Sequence, residues 1–172
     1  YFSNPIKFLY VWEGGLASHG GAIGILIGLY FYAKKIDKPY IWILDRIVVP
    51  VAIGGAFIRT GNLMNSEIYG QPTDLPWGFK FVRDYPVGMP IEDIPACHPT
   101  QIYEAIFCIA VFIYLLYAYY RQNIAERRPG FMFGIFLIVV FGSRILIEFI
   151  KNHQVAFEDN MILDMGQWLS IP

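Results

Sequence analysis

The sequence predicts an all-α fold: a polytopic helical bundle in a membrane, with four complete transmembrane helices, the start of a fifth, and one large irregular periplasmic loop. Three observations predict it. Hydrophobic residues make up 56% of the chain and charged residues only 16%, whereas a soluble domain carries about a quarter charged. Four stretches approach the ~20 mostly apolar residues that a helical span requires. The short connections between those stretches are basic, as cytoplasmic loops are.

The first expected span covers 15–33 and is rich in glycine at its start, where His19 interrupts it. The second covers 40–58 and carries Asp45 and Arg46 near its beginning. The third, 101–120, has Glu104 as its one charged residue. The fourth, 131–150, contains Arg144 and Glu148. A fifth begins near Leu163. Segment 71–96 is proline-rich with mixed charge and reads as an irregular loop outside the membrane. The whole chain, 1–172, is expected to be one transmembrane domain and a fragment of a longer protein, with earlier helices and the end of the last one missing.

Orientation follows from the loops. Lys34, Lys35 and Lys38 lie between the first two spans with Arg46 just inside the second, and Arg121, Arg127 and Arg128 lie between the third and fourth. The long connection 59–100 balances Arg59, Lys80 and Arg83 against Glu67, Asp74, Asp84, Glu92 and Asp93. The positive-inside bias puts the basic loops in the cytoplasm and the long loop outside. His19, Arg59, Asn62, His98, Arg144 and Glu148 then all fall toward the outer side, and Asp45 toward the inner. Anchoring residues would scatter over both boundaries, so the coincidence predicts one polar site opening outward. A net charge of −1 offers no basic surface for nucleic acid. Cys97 and Cys108 form no disulfide framework, and neither a metal-ligand spacing nor a nucleotide loop occurs, so no metal and no cofactor are expected.

The stretch FIRTGNLMNSEIYG (57–70) is the densest polar group. Arg59 offers a planar fork of donors suited to phosphate or carboxylate. Asn62, Asn65 and Glu67 add amides and a carboxylate beside it. The competing reading makes Arg59 an interfacial anchor and Gly61-Asn62 a helix stop. His19 lies in GGLASHGG, where small residues permit close approach and imidazole can move a proton near neutral pH; a helix-packing motif would look the same. Arg144, Glu148 and Lys151 share a helix face, either as a self-satisfied ion pair or as an arginine offered to an anionic ligand. His98, Tyr103 and Glu104 open the third span and read as a structural cap. Asp45 reads as paired with neighbouring Arg46 at the inner interface.

With these motifs in view, the chain resembles the bacterial prolipoprotein diacylglyceryl transferase family. The blocks that carry the resemblance are GGLASHGGAIG (14–24), IRTGNLMNSEIYG (58–70), HPTQIYE (98–104), SRILIEFIK (143–151) and DMGQWLSIP (164–172). Arg59, Gly61, Asn62, Asn65, Glu67 and Gly70 match the family signature at its spacing. Ile58 and Leu63 stand where it has glycine and phenylalanine, Lys151 where arginine is common, and Val140 where some members have tyrosine.

The resemblance implies transfer of the diacylglyceryl group of phosphatidylglycerol to the lipobox cysteine of a preprolipoprotein signal peptide. A thioether forms and glycerol 1-phosphate leaves. It implies His19 and Arg144 as catalytic residues, with Arg59, Asn62, Asn65, Glu67, Gly70 and Glu148 binding substrate. It also implies a multi-pass protein of the bacterial cytoplasmic membrane whose site faces the periplasm. On the residues alone, a transporter with an outward-facing polar site is the competing reading.

Overall fold

The computed structural model describes residues 18–151, with side chains from Gly21 onward. Its order is α1 (Ser18–Lys35), α2 (Tyr40–Asn65), β1 (Phe79–Lys80), β2 (Ala96–Cys97), α3 (Thr100–Gln122), the short α4 (Ile124–Arg127) and α5 (Phe131–Glu148). Among the described residues, α2, α3 and α5 are long and apolar enough to cross a membrane. At 1.5 Å per residue their 26, 23 and 18 residues reach about 39, 34 and 27 Å, against a hydrocarbon core of about 30 Å. The start of the first expected span and the whole of the fifth lie outside the described residues. Closed helical hydrogen bonding is the reason apolar stretches of this length become helices: inside a bilayer a single segment satisfies its own backbone only as a helix.

The second span is longer than its apolar stretch suggests. α2 continues through Arg59, Gly61 and Asn62 to Asn65, so Gly61-Asn62 does not stop it. The stop is Ser66 in the left-handed region, whose N–H returns to the carbonyls of Asn62 and Leu63. α2 and α3 share the largest interface of the bundle. Small residues make that approach possible: a Cβ on Gly55 would lie 3.2 Å from the Cys108 sulfur, and Ala52 and Ala56 are buried beside it. The apolar core gathers Val48 and Ala52 of α2, Val111 and Leu115 of α3, Ala125 of α4 and Met132 of α5. α1 is attached more lightly, through Tyr40 Oη donating to the Leu26 carbonyl and an edge-on contact of the Tyr30 and Tyr40 rings.

Asp45 closes the end of the bundle that carries the basic loops. It is fully buried, and its carboxylate accepts from Gly130 N–H at 2.6 Å and Phe133 N–H at 2.9 Å. Those are orphan donors at the start of α5, so Asp45 caps a neighbouring helix and meets its positive dipole end. The expected Asp45–Arg46 pair is therefore not formed. Arg46 instead pairs with Glu126 and stacks 3.5 Å over the Trp42 ring. Consecutive residues on a helix point about 100° apart, and each found a partner on its own side.

Segment 71–96 is less irregular than expected. β1 and β2 pair antiparallel, and single 3₁₀ turns occur at Val82–Asp84 and Ile91–Asp93. Phe81 and Ile94 are buried at its centre. Tyr69 stacks on Phe81 with ring centroids 4.4 Å apart and donates its hydroxyl to Asp84. Burial, then the bond to Asp84, holds the Tyr69 phenol well above its usual range.

Candidate active site

The C-terminal ends of α2 and α5 and the N-terminal end of α3 meet at the opposite end of the bundle from Asp45, fastened by backbone bonds. Gly70 N–H donates to the His98 carbonyl at 2.9 Å, His98 N–H to Gln71 at 3.0 Å, and Gln71 N–H to Ile150 at 2.9 Å. Gly70 and Lys151 form an antiparallel bridge. No side chain fits at residue 70: a Cβ would lie 2.5 Å from the Ile150 carbonyl oxygen and 2.8 Å from the His98 Cβ. The first turn of α3 grips the same segment, with Thr100 Oγ1 donating to Ile68 O at 3.0 Å and Gln101 Nε2 to Glu67 O at 2.7 Å. Between those contacts Ile68 is held at φ 59°, a left-handed conformation that costs a β-branched residue on the order of 1–3 kcal/mol.

A chain of alternating charges crosses this junction. Arg59 Nε of α2 contacts the Glu104 carboxylate of α3 directly. Lys151 Nζ lies 2.7 Å from the other Glu104 oxygen and 3.2 Å from Glu148 Oε2 of α5. Glu104 and Lys151 are buried, at 3% and 6% exposure. The four formal charges sum to zero, which is what makes their removal from water tolerable. Each helix contributes at least one member, so the chain also fixes the three ends against one another.

Arg144 stands apart from this balance. It lies one turn before Glu148, about 6 Å along the axis. Among the described residues it forms no ion pair, and its Nε is buried without a hydrogen-bond partner. Of the two readings open for Arg144 and Glu148, the structure excludes the self-satisfied pair: Glu148 turns to Lys151. An unneutralised cation at the end of an apolar helix is costly unless an anion joins it.

The remaining sequence candidates fall around this centre. Asn65 and Glu67 are exposed and bond to each other, Asn65 Nδ2 donating to Glu67 Oε1 at 3.3 Å, and Asn62 is half-buried. None of the three orients Arg59, a task that falls to Glu104. His98 Nδ1 lies 3.4 Å from Tyr103 Oη, which also accepts from Trp77 Nε1 at 2.9 Å, tying the loop to α3. His19 belongs to the first turn of α1, but its side chain lies outside what is described. A cleft of about 170 Å³ opens between α2 and α3, lined by Arg59, Thr60 and Leu63 on one side and Gln101, Ile102 and Ile106 on the other. Cys97 is buried, and burial pushes its thiol up, away from the reactive thiolate.

Glu104 and Lys151 are the residues whose roles the sequence understated. The signal for Glu104 was present, since a lone carboxylate in an apolar span needs a partner. Lys151 is harder to find, because one of its two charged partners, Glu104, comes from another helix.

Helices of membrane-spanning length, joined at one end by a buried charge chain beside an arginine that is unpaired among the described residues, define a helical integral membrane protein. Comparison with known proteins narrows the class. The model of the prolipoprotein diacylglyceryl transferase family matches residues 1–172, and the chain belongs to that family. It is 49% identical over 179 residues to the phosphatidylglycerol–prolipoprotein diacylglyceryl transferase of Porphyromonas gingivalis, and 42% identical over 173 residues to the enzymes of that name from Tolumonas auensis and Chloroherpeton thalassium. All of this chain is covered in each case, and it spans 61–63% of the length of these relatives.

Proposed function

We propose that the protein transfers the diacylglyceryl group of phosphatidylglycerol to the lipobox cysteine of a preprolipoprotein, the first step of lipoprotein maturation. The observation that carries the reading is Arg144, a half-buried cation whose Nε is buried without a hydrogen-bond partner and which has no ion-pair partner among the described residues. The reaction develops negative charge on a leaving phosphate ester, and a preorganised guanidinium is suited to stabilise it. The substrate sulfur bonds to the glyceryl carbon as that carbon's bond to the phosphate oxygen breaks. Glycerol 1-phosphate departs with the electron pair, and the thiol proton passes to a base.

In this reading His19 takes the thiol proton. Arg144 holds the phosphate, and the Nη groups of Arg59, whose Nε is committed to Glu104, add to it. Asn62, Asn65 and Glu67 face the headgroup from the end of α2. Gly70 shapes the junction beneath them, and Glu148 contributes by fixing Lys151. Cys97 and Cys108 have no role, because the substrate supplies the nucleophile. In this reading the site opens toward the periplasmic face of the bacterial cytoplasmic membrane, which the basic loops at the other end of the bundle support.

The test is to incubate the intact protein in detergent with phosphatidylglycerol and a lipobox peptide. Release of glycerol phosphate together with a diacylglyceryl mass gain on the peptide is expected; folded protein giving neither would refute the assignment. A His19→Gln variant should flatten the pH dependence of the rate, and an unchanged profile would remove His19 as the base.

A further inference from the structure

The loop 71–96 is ordered around its own small core, yet it turns a set of large apolar side chains outward. Phe81 and Ile94 are buried, while Leu75, Trp77, Phe79, Val82, Val87 and Ile91 are exposed. These residues are not loose. Lys80 Nζ donates to the Ile91 carbonyl at 2.7 Å, pinning the Ile91–Asp93 turn to β1, and Gly88 at φ 95° makes the bend that leaves Val87 fully exposed. A loop standing in water would place polar residues at such positions, and large apolar side chains exposed together on one ordered loop mark an interaction site.

The height of the loop relative to the helices identifies the occupant. β1 pairs with β2, which ends two residues before Pro99 and the first turn of α3. Trp77 Nε1 bonds Tyr103 Oη within that first turn, so Trp77 sits level with the end of a membrane-spanning helix. Below it α3 is apolar and outward-facing through Ile106, Phe107, Ile109 and Ile113. The apolar loop surface is thus continuous with the lipid-facing side of the bundle, and a tryptophan–tyrosine pair at the join is the composition of an interfacial belt.

We propose that this loop lies against the outer leaflet with Val87, Ile91, Phe79 and Trp77 seated in the headgroup region. Its charges do not drive the contact. Within 71–96, Lys80 and Arg83 are outnumbered by Asp74, Asp84, Glu92 and Asp93. Apolar burial supplies the attachment, which should be insensitive to salt and to the anionic lipid fraction, unlike a polybasic contact. The inference is independent of the reaction assigned above.

The experiment places a nitroxide at Val87→Cys, and separately at Asp93→Cys, in a Cys97→Ala/Cys108→Ala background of the intact protein. The host is nanodiscs of phosphatidylethanolamine and phosphatidylglycerol. At Val87 the probe should collide several-fold more often with oxygen than with a water-soluble nickel chelate, with the order reversed at Asp93. Equal chelate access at both sites overturns the proposal. Protection at Val87 that appears only when a lipobox peptide is added also overturns it, and assigns the surface to the peptide. If that background does not fold, quenching by brominated lipids answers the same question, read as the difference between wild type and Trp77→Phe. Loss of the quenched component in Trp77→Phe is expected; an unquenched Trp77 refutes the seating.

Discussion

Removing the charge of Glu104 while keeping its shape should destabilise the bundle far more in the wild-type background than where Lys151 is also neutral. Glu104→Gln turns a neutral four-charge chain into one with an excess positive charge, and Lys151→Met turns it into one with an excess negative charge. The double substitution restores balance through the remaining Arg59–Glu148 charges. Side-chain exposures of 4–5% mean that solvent screens the Glu104–Lys151 pair very little. At 2.7 Å and an effective dielectric of about 20, the Coulomb attraction is about 6 kcal/mol, most of it offset by desolvation. Removing one partner of a buried pair typically costs about 3–5 kcal/mol, and coupled neighbours show interaction energies of about 0.5–3 kcal/mol. The assay is a double-mutant cycle on unfolding in detergent. The double variant should recover 1 kcal/mol or more, by order of magnitude, relative to the sum of the singles. Additivity within about 0.5 kcal/mol would refute the charge chain as a coupled unit.

Three further outcomes follow from the geometry. Gly70→Ala forces a Cβ against the Ile150 carbonyl, and should lower stability by about 1–3 kcal/mol and loosen the junction in limited proteolysis; wild-type protection would refute the tight fit at residue 70. Asp45→Ala leaves the first N–H groups of α5 without their acceptor and should cost about 1–2 kcal/mol in unfolding measurements. Because Asp45 lies at the other end, the residual rate per folded molecule should not change, and a selective loss of rate would contradict that separation. Burial raises the Cys97 pKa, so its thiolate is scarce at neutral pH in the folded state and grows only as pH rises toward the shifted value. Alkylation at neutral pH should therefore be much slower in the native protein than after denaturation, and equal rates would count against burial of the thiol.

Much of this architecture was legible in the sequence. Apolar length placed α3 and α5 within two residues of their observed limits and the start of α2 at Tyr40, but ended α2 seven residues early, at residue 58 instead of Asn65. Loop charge brought Arg59, His98, Arg144 and Glu148 to one end before any contact was known. The partners of those groups were not legible, because pairing between helices depends on how each is rotated about its axis, which spacing along one chain does not specify. Asp45 beside Arg46 suggested a pair, yet Asp45 serves a helix that begins 86 residues later, at Phe131. Gly61 and Asn62 suggested a helix end, but the ~1 kcal/mol that glycine costs a helix is small beside the packing of α2 on α3 and the Arg59–Glu104 contact. Ile68 in the left-handed region had no signal at all. Its conformation is imposed by bonds from Thr100 and Gly70's fit beneath His98, both long-range.

The proposed function rests on Arg144, unpaired among the described residues, receiving the phosphate of the lipid. The most direct measurement compares intact wild-type and Arg144→Ala protein, each shown to be folded by its unfolding transition, for glycerol phosphate release and peptide mass gain from phosphatidylglycerol and a lipobox peptide. Since no described ion pair is lost, the variant should stay folded while the rate falls by about 10²-fold or more. A folded Arg144→Ala protein that still transfers at the wild-type rate would contradict the account.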